Sequence, residues 1–132
     1  MTTFVDTSAL YALLDRDDEN HRAAAAWFTG GDVAIRDLLT HNYVVVESAA
    51  LVDRRLGPQA ARALLEDVIP TVSLAFVDES LHRAATSAFL AAPRRGPSLV
   101  DRVSFELMRH RHIKEAFAFD RDFRTVGFST IP

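Results

Sequence analysis

Four carboxylates, Asp6, Glu47, Asp101 and Asp120, stand where shared chemistry is feasible. Asp6 ends the strand-like run Thr2-Thr3-Phe4-Val5, and Asp120 follows the apolar run Ala116-Phe117-Ala118-Phe119. In open α/β sheets, ligands bind beyond the carboxyl ends of strands, so both acids reach toward one crevice. Asp101 falls in the first turn of a helix that begins after a Pro-rich loop. Glu47 lies two turns into another helix, within Val44-Val45-Val46-Glu47-Ser48-Ala49-Ala50-Leu51, where a lone charge is uncomfortable unless paired or bound to a cation. Each acid also has a plain local reading. A strand-end Asp forms turns, Asp101 complements a helix dipole, and Glu47 points to solvent. Their joint placement favours a hard cation, Mg²⁺ or Mn²⁺, which takes oxygen ligands. Such an ion polarises a phosphoryl oxygen and acidifies a bound water, so the chemistry implied is metal-assisted phosphodiester hydrolysis.

Other chemistries fit poorly. The chain has no cysteine, which removes thiolate nucleophiles, Cys-ligated zinc and disulfides. No G-x-S-x-G elbow, P-loop or G-x-G-x-x-G run is present. The histidines are scattered, and His110 and His112 at i, i+2 do not share a helix face. The single lysine, Lys114, precedes a strand rather than ending one, against a receiver domain. Ser8 stands where a haloacid-dehalogenase motif needs an acid.

The elements that must position these acids alternate strand and helix. Strands are predicted at Thr2–Asp6, Val33–Leu39, Thr71–Val77, Glu115–Phe119 and Phe128–Ile131. Helices are predicted from Ser8, over His21–Phe28 up to Gly30-Gly31, over His41–Leu56 with Thr40 as N-cap, over Gln59–Val68, from the Asp78 cap to Ala91, and over Leu99–His110. Ser98 and Asp101 form a capping pattern for the last of these. Asp120–Val126 is a turn or short helix. The alternation implies an α/β fold with a mainly parallel sheet of four to five short strands flanked by helices.

With 132 residues, one domain is expected over residues 1–132, large enough to bury a core without staples. Hydrophobic residues form 48% and charged residues 25%, the balance of a soluble globular protein. The N-terminus has no signal-peptide pattern and no run suits a membrane span, so a cytoplasmic protein is expected. The net charge of −3 argues against a bulk nucleic-acid binder, but it is unevenly spread. Residues 94–124 carry eight basic groups against five acids, and the rest carries seven against thirteen. Arginine supplies 14 of the 15 basic groups, which suits bidentate phosphate contacts as well as simple codon bias.

These motifs together resemble the PIN-domain ribonucleases. Val5-Asp6-Thr7-Ser8-Ala9-Leu10 is similar to their opening signature, and Thr40-His41-Asn42-Tyr43-Val44-Val45-Val46-Glu47 to their second block. Ser98-Leu99-Val100-Asp101-Arg102-Val103-Ser104-Phe105-Glu106-Leu107-Met108 is close to the third block. Ala118-Phe119-Asp120-Arg121-Asp122-Phe123, followed by Gly127-Phe128, resembles the fourth. The order spans the whole chain, and the short single-domain form resembles the VapC toxins of type II toxin–antitoxin pairs.

The resemblance implies that Asp6, Glu47, Asp101 and Asp120 are the catalytic acids. Asp6, Asp101 and Asp120 hold Mg²⁺ or Mn²⁺, and Glu47 acts on the attacking water. Thr7, Ser8, Asn42 and Ser104 are its supporting polar positions, with Ser104 or Thr7 placing the water or a phosphate. Arg94, Arg95 and Arg102 are candidate contacts to RNA along the rim, or ordinary surface arginines. It further implies an RNA substrate, a VapB-like antitoxin and a homodimer, and the Ala-, Leu- and Val-rich helices near residues 8–28 and 41–67 suit such packing. Two positions depart from the family pattern: Ala118 replaces a usual hydroxyl, and Asp122 stands where His is common. Asp122 is either a fifth acid at the metal site or a solvent-facing residue, and the second is favoured because i, i+2 acids in a helical turn point apart. A toxin endoribonuclease is therefore expected. A catalytically weak module that binds RNA or a protein partner is the alternative, and a DNA substrate is left open.

Overall fold

The computed structural model describes residues 1–30, 36–92 and 95–132. Strand β1 (Thr2–Val5) leads through α1 (Thr7–Leu14) and α2 (His21–Thr29) to β2 (Asp37–His41). Helices α3 (Asn42–Leu56) and α4 (Pro58–Ala63) follow, then a π-type turn and a 3₁₀ turn reach β3 (Ser73–Ala75). Helices α5 (Glu79–Ala91) and α6 (Leu99–His110) lead to β4 (Glu115–Phe117), then α7 (Asp122–Thr125) and β5 (Ser129–Ile131).

The five strands form one parallel sheet in the order β3-β2-β1-β4-β5. The chain winds outward from β1 to β3, then crosses back to β4 and β5. Right-handed crossovers therefore set α1–α4 on one face and α5–α7 on the other. The winding reverses between β1 and β4, and a crevice opens there at the carboxyl ends.

Burial in the centre of the sheet explains why β1 lacks polar alternation: Phe4 and Val5 are fully buried, and Thr3 nearly so. Phe123 anchors α7 to this core. Its ring lies 5.0 Å edge-on from Phe105 and 6.1 Å from Phe4. Aromatic packing thus fixes the segment that carries Asp120 and Asp122.

Several predicted ends move. Asp6 leaves β1 and becomes the N-cap of α1, its side chain accepting from the Ser8 amide. The cap of α3 is His41 rather than Thr40, because β2 runs on to His41, two residues past the predicted end, and the Thr40 hydroxyl donates to the Val5 carbonyl across the sheet. The Gln59–Val68 helix starts at Pro58 and loosens into a π turn over Leu64–Val68. Strands β3, β4 and β5 are three residues each, since only those residues find ladder partners. Residues 33–35 of the predicted second strand, like Arg94, lie outside the described residues.

Candidate active site

Asp6 sits at the reversal of the sheet, 3% exposed. Its amide donates to the Phe117 carbonyl at 3.1 Å, which joins the ends of β1 and β4. The Ser8 amide and hydroxyl both donate to Asp6 Oδ2, at 3.1 and 2.6 Å. Ser8 Oγ in turn accepts from the Phe119 amide at 3.0 Å. One serine thus ties Asp6 to the chain leaving β4, next to Asp120. Burial raises the Asp6 carboxyl to about 7; the Ser8 bonds oppose this, and the charges of Asp101 and Asp120 add to it.

Asp101 is delivered by the start of α6. The Ser98 hydroxyl accepts from the Asp101 amide at 3.1 Å, and the Ser98 amide donates to Asp101 Oδ2 at 3.0 Å, a reciprocal capping box. Burial again dominates and raises this carboxyl to about 6. The Ser98 amide bond opposes, while Asp120 and Glu47 add like charge. Glu47 projects from α3 close enough for its field to reach Asp101, and it is half-buried.

Asp120 Oδ1 accepts from the Asp122 amide at 2.9 Å, closing a side-chain turn before α7. One ligand oxygen each from Asp101, Asp120 and Asp122 lies within 4.8 Å of the others. The expectation that Asp122 faces solvent is therefore corrected. It assumed helical geometry at 120–122, whereas a turn bends both carboxylates to one side.

The supporting residues divide. Ser8 joins the acids directly. The Thr7 hydroxyl is buried beside Asp6 without a hydrogen-bond partner. Ser104 is fully buried on α6, where its hydroxyl donates to the Val100 carbonyl at 3.1 Å and His41 Nε2 approaches it at 2.9 Å. That pairing occupies Ser104 and leaves it braced against the β2–α3 corner rather than open to a water. Asn42 Oδ1 accepts from the Val77 amide at 2.7 Å, so this side chain fastens α3 to the segment after β3. Arg95 is exposed, whereas Arg102 is half-buried with its Nε enclosed and its guanidinium beneath Gly96.

His41 is a site neighbour that sequence reasoning passed over. Its Nδ1 accepts from the Val44 amide at 3.3 Å, so Nε2 carries the proton toward Ser104. Burial lowers its pKa to about 4 and keeps the ring neutral. A cap position between a strand end and an Asn was the only local signal.

The assembled donor set is all oxygen, which suits a hard divalent cation. Burial and neighbouring negative charge make Asp6 and Asp101 reluctant to ionise, and a cation would offset both penalties.

The PIN domain family model matches residues 3–129. The chain is 34% identical over 126 residues to the 23S rRNA-specific endonuclease VapC20 of Mycobacterium tuberculosis, in strains CDC 1551 and H37Rv. That match spans 95% of this chain and 94% of the relative. The crystal structure of Mycobacterium tuberculosis VapC20, described as a sarcin-ricin loop cleaving toxin, superposes with a TM-score of 0.84 at 32% identity. It covers 97% of this chain and 96% of that one. FitAcB from Neisseria gonorrhoeae shares the fold with a TM-score of 0.71 at 13% identity, covering 100% and 97%.

Proposed function

The chain belongs to the PIN-domain family, within its VapC toxins, and from that premise we propose a Mg²⁺- or Mn²⁺-dependent endoribonuclease that cuts structured RNA. The convergence of Asp101, Asp120 and Asp122 beside buried Asp6 carries this reading. The substrate proposed is 23S rRNA, by likeness to the relative named for it.

Asp6, Asp101 and Asp120 would hold the cation, and Asp122 stands ready as a further oxygen donor. A divalent ion there supplies positive charge to a phosphoryl oxygen and lowers the pKa of a bound water. Ser8 fixes the Asp6 carboxylate in one orientation through two bonds, which spares reorganisation at the moment of reaction. Glu47, half-buried and near Asp101, would accept a proton from the attacking water. His41 and Ser104 brace the α3 and α6 corner and leave the proton transfer to carboxylates.

The toxin would be checked by an antitoxin and act as a homodimer in the cytoplasm. Exposed Val46, Phe89 and Leu90 supply apolar surface for such contacts. No described helix is long and apolar enough to cross a membrane.

Cleavage of purified 23S rRNA with Mg²⁺ or Mn²⁺, with EDTA, and by Asp101→Asn tests the proposal. Cleavage only with the cation, with a loss of about 10²-fold or more in the variant, is expected. Activity that survives chelation, or a variant equal to wild type, would sink it.

A further inference from the structure

Among the described residues, the basic groups of residues 95–124 extend well beyond the rim of the acidic crevice. Arg102 is half-buried beneath the loop and Arg95 is exposed on it, while further exposed cations stand where α6 ends and along α7. Arg111, Lys114, Arg121 and Arg124 are all exposed. Among the described residues, none of the four has a carboxylate within 4.0 Å; the pairs found are Arg62–Glu66, Arg83–Glu79 and Arg109–Glu106.

Backbone bonds draw these groups together. The Ser129 amide donates to the Lys114 carbonyl at 2.9 Å, and the Gly127 amide to the Arg124 carbonyl at 3.0 Å. The ring of Phe128, between them, carries the Arg109 guanidinium 5.7 Å from its centre. Glu115, beside Lys114 in sequence, accepts the Thr3 hydroxyl at 3.0 Å on the β1 side, and Asp120 and Asp122, which flank Arg121, turn toward Asp101. Arg121 begins this track directly beside Asp120, and the length of α6 sets its far end about 15 Å from Asp101. Of the exposed large apolar side chains, Met1 borders Arg111 and Lys114, and Phe76 borders Arg111. A protein partner would need an apolar centre; here the apolar side chains stand at the Arg111 end alone, and the row of free cations suits phosphates.

We propose that Arg111, Lys114, Arg121 and Arg124 form a second RNA contact that holds the phosphate backbone of a folded RNA flanking the cut. It rests on the RNA-cleaving reading above, and it adds a binding surface outside the carboxylate site. The surface gives preference for structured over short RNA, because only a long substrate reaches both the crevice and the track.

The test compares wild type with Arg111→Ala/Lys114→Ala/Arg124→Ala, whose exposed positions leave the core intact. Fluorescence anisotropy measures affinity for an rRNA stem-loop, a short single-stranded oligonucleotide and labelled polyglutamate across a salt series, alongside cleavage of each RNA. The triple variant is expected to bind the stem-loop at least about tenfold more weakly, with its salt slope reduced by roughly two to three. Its binding and cleavage of the oligonucleotide stay at the wild-type level. Equal stem-loop affinity, or an equal loss on both RNAs, overturns the surface. A loss confined to polyglutamate reassigns it to an acidic protein and also overturns it. A wild type that binds through this track but cuts neither RNA refutes the nuclease reading alone.

Discussion

Asp6 is held at a cost that a cation removes. Its carboxyl is raised to about 7 and that of Asp101 to about 6, both chiefly by burial, so the cation-free fold retains protons that the unfolded chain has released. Stability from these two groups is full below about pH 4 and is lost as pH rises toward 7. His41, lowered to about 4, acts in the opposite sense: its contribution is full above about 6.5 and is lost as pH falls through 4. Two carboxyls outweigh one imidazole across the shared window. The melting temperature without divalent ions is therefore expected to fall between pH 5 and pH 8. Mg²⁺ or Mn²⁺ should restore it at pH 8 and change it little at pH 5. Asp6→Asn should flatten the profile and exceed wild type at pH 8 by roughly 1–3 kcal/mol, while cleavage is lost. Thermal scans with and without the ion check this; a wild-type profile that rises toward pH 8 without the ion contradicts it.

At the scale of elements, strand ends and helix caps put the acids in place, and both leave local marks in sequence. Asp6 and Asp120 were legible because an acid after an apolar run marks a strand exit, and Asp101 because Ser98 three residues before it spells a capping box. Asp122 was not legible, since its direction depends on a side-chain turn and on Phe123 being driven into the core. Ser104 and Asn42 were placed by residues 63 and 35 positions away, partners that spacing along the chain does not reveal. The cap of α3 shifted to His41 because cross-sheet pairing took Thr40. Ser98→Ala should cost about 1 kcal/mol by removing the hydroxyl that receives the Asp101 amide. Urea unfolding would detect this as a lower midpoint with an unchanged slope.

For the whole molecule, a net charge of −3 hides two opposed regions. One is a centre of acids gathered by the reversal between β1 and β4, and the other a basic end formed by α6, α7 and β5. Parallel order and layering were readable from the alternation of strands and helices, whereas the strand order required the crossover from β3 to β4. Exposed Val46 belongs to α3, one of the helices expected to be covered in a dimer. Light scattering at micromolar concentration should give twice the 14.7 kDa chain mass, and Val46→Asp should return it to the monomer value. A wild-type monomer at every concentration would refute the dimer.

The Ser8 hydroxyl gives its hydrogen to Asp6 and takes one from the Phe119 amide. When a cation drains negative charge from Asp6, the serine oxygen becomes a poorer acceptor, and the Phe119 amide proton feels the change. A divalent ion bound at Asp6 would therefore be read out by one backbone resonance, wired to the carboxylate by a single hydroxyl.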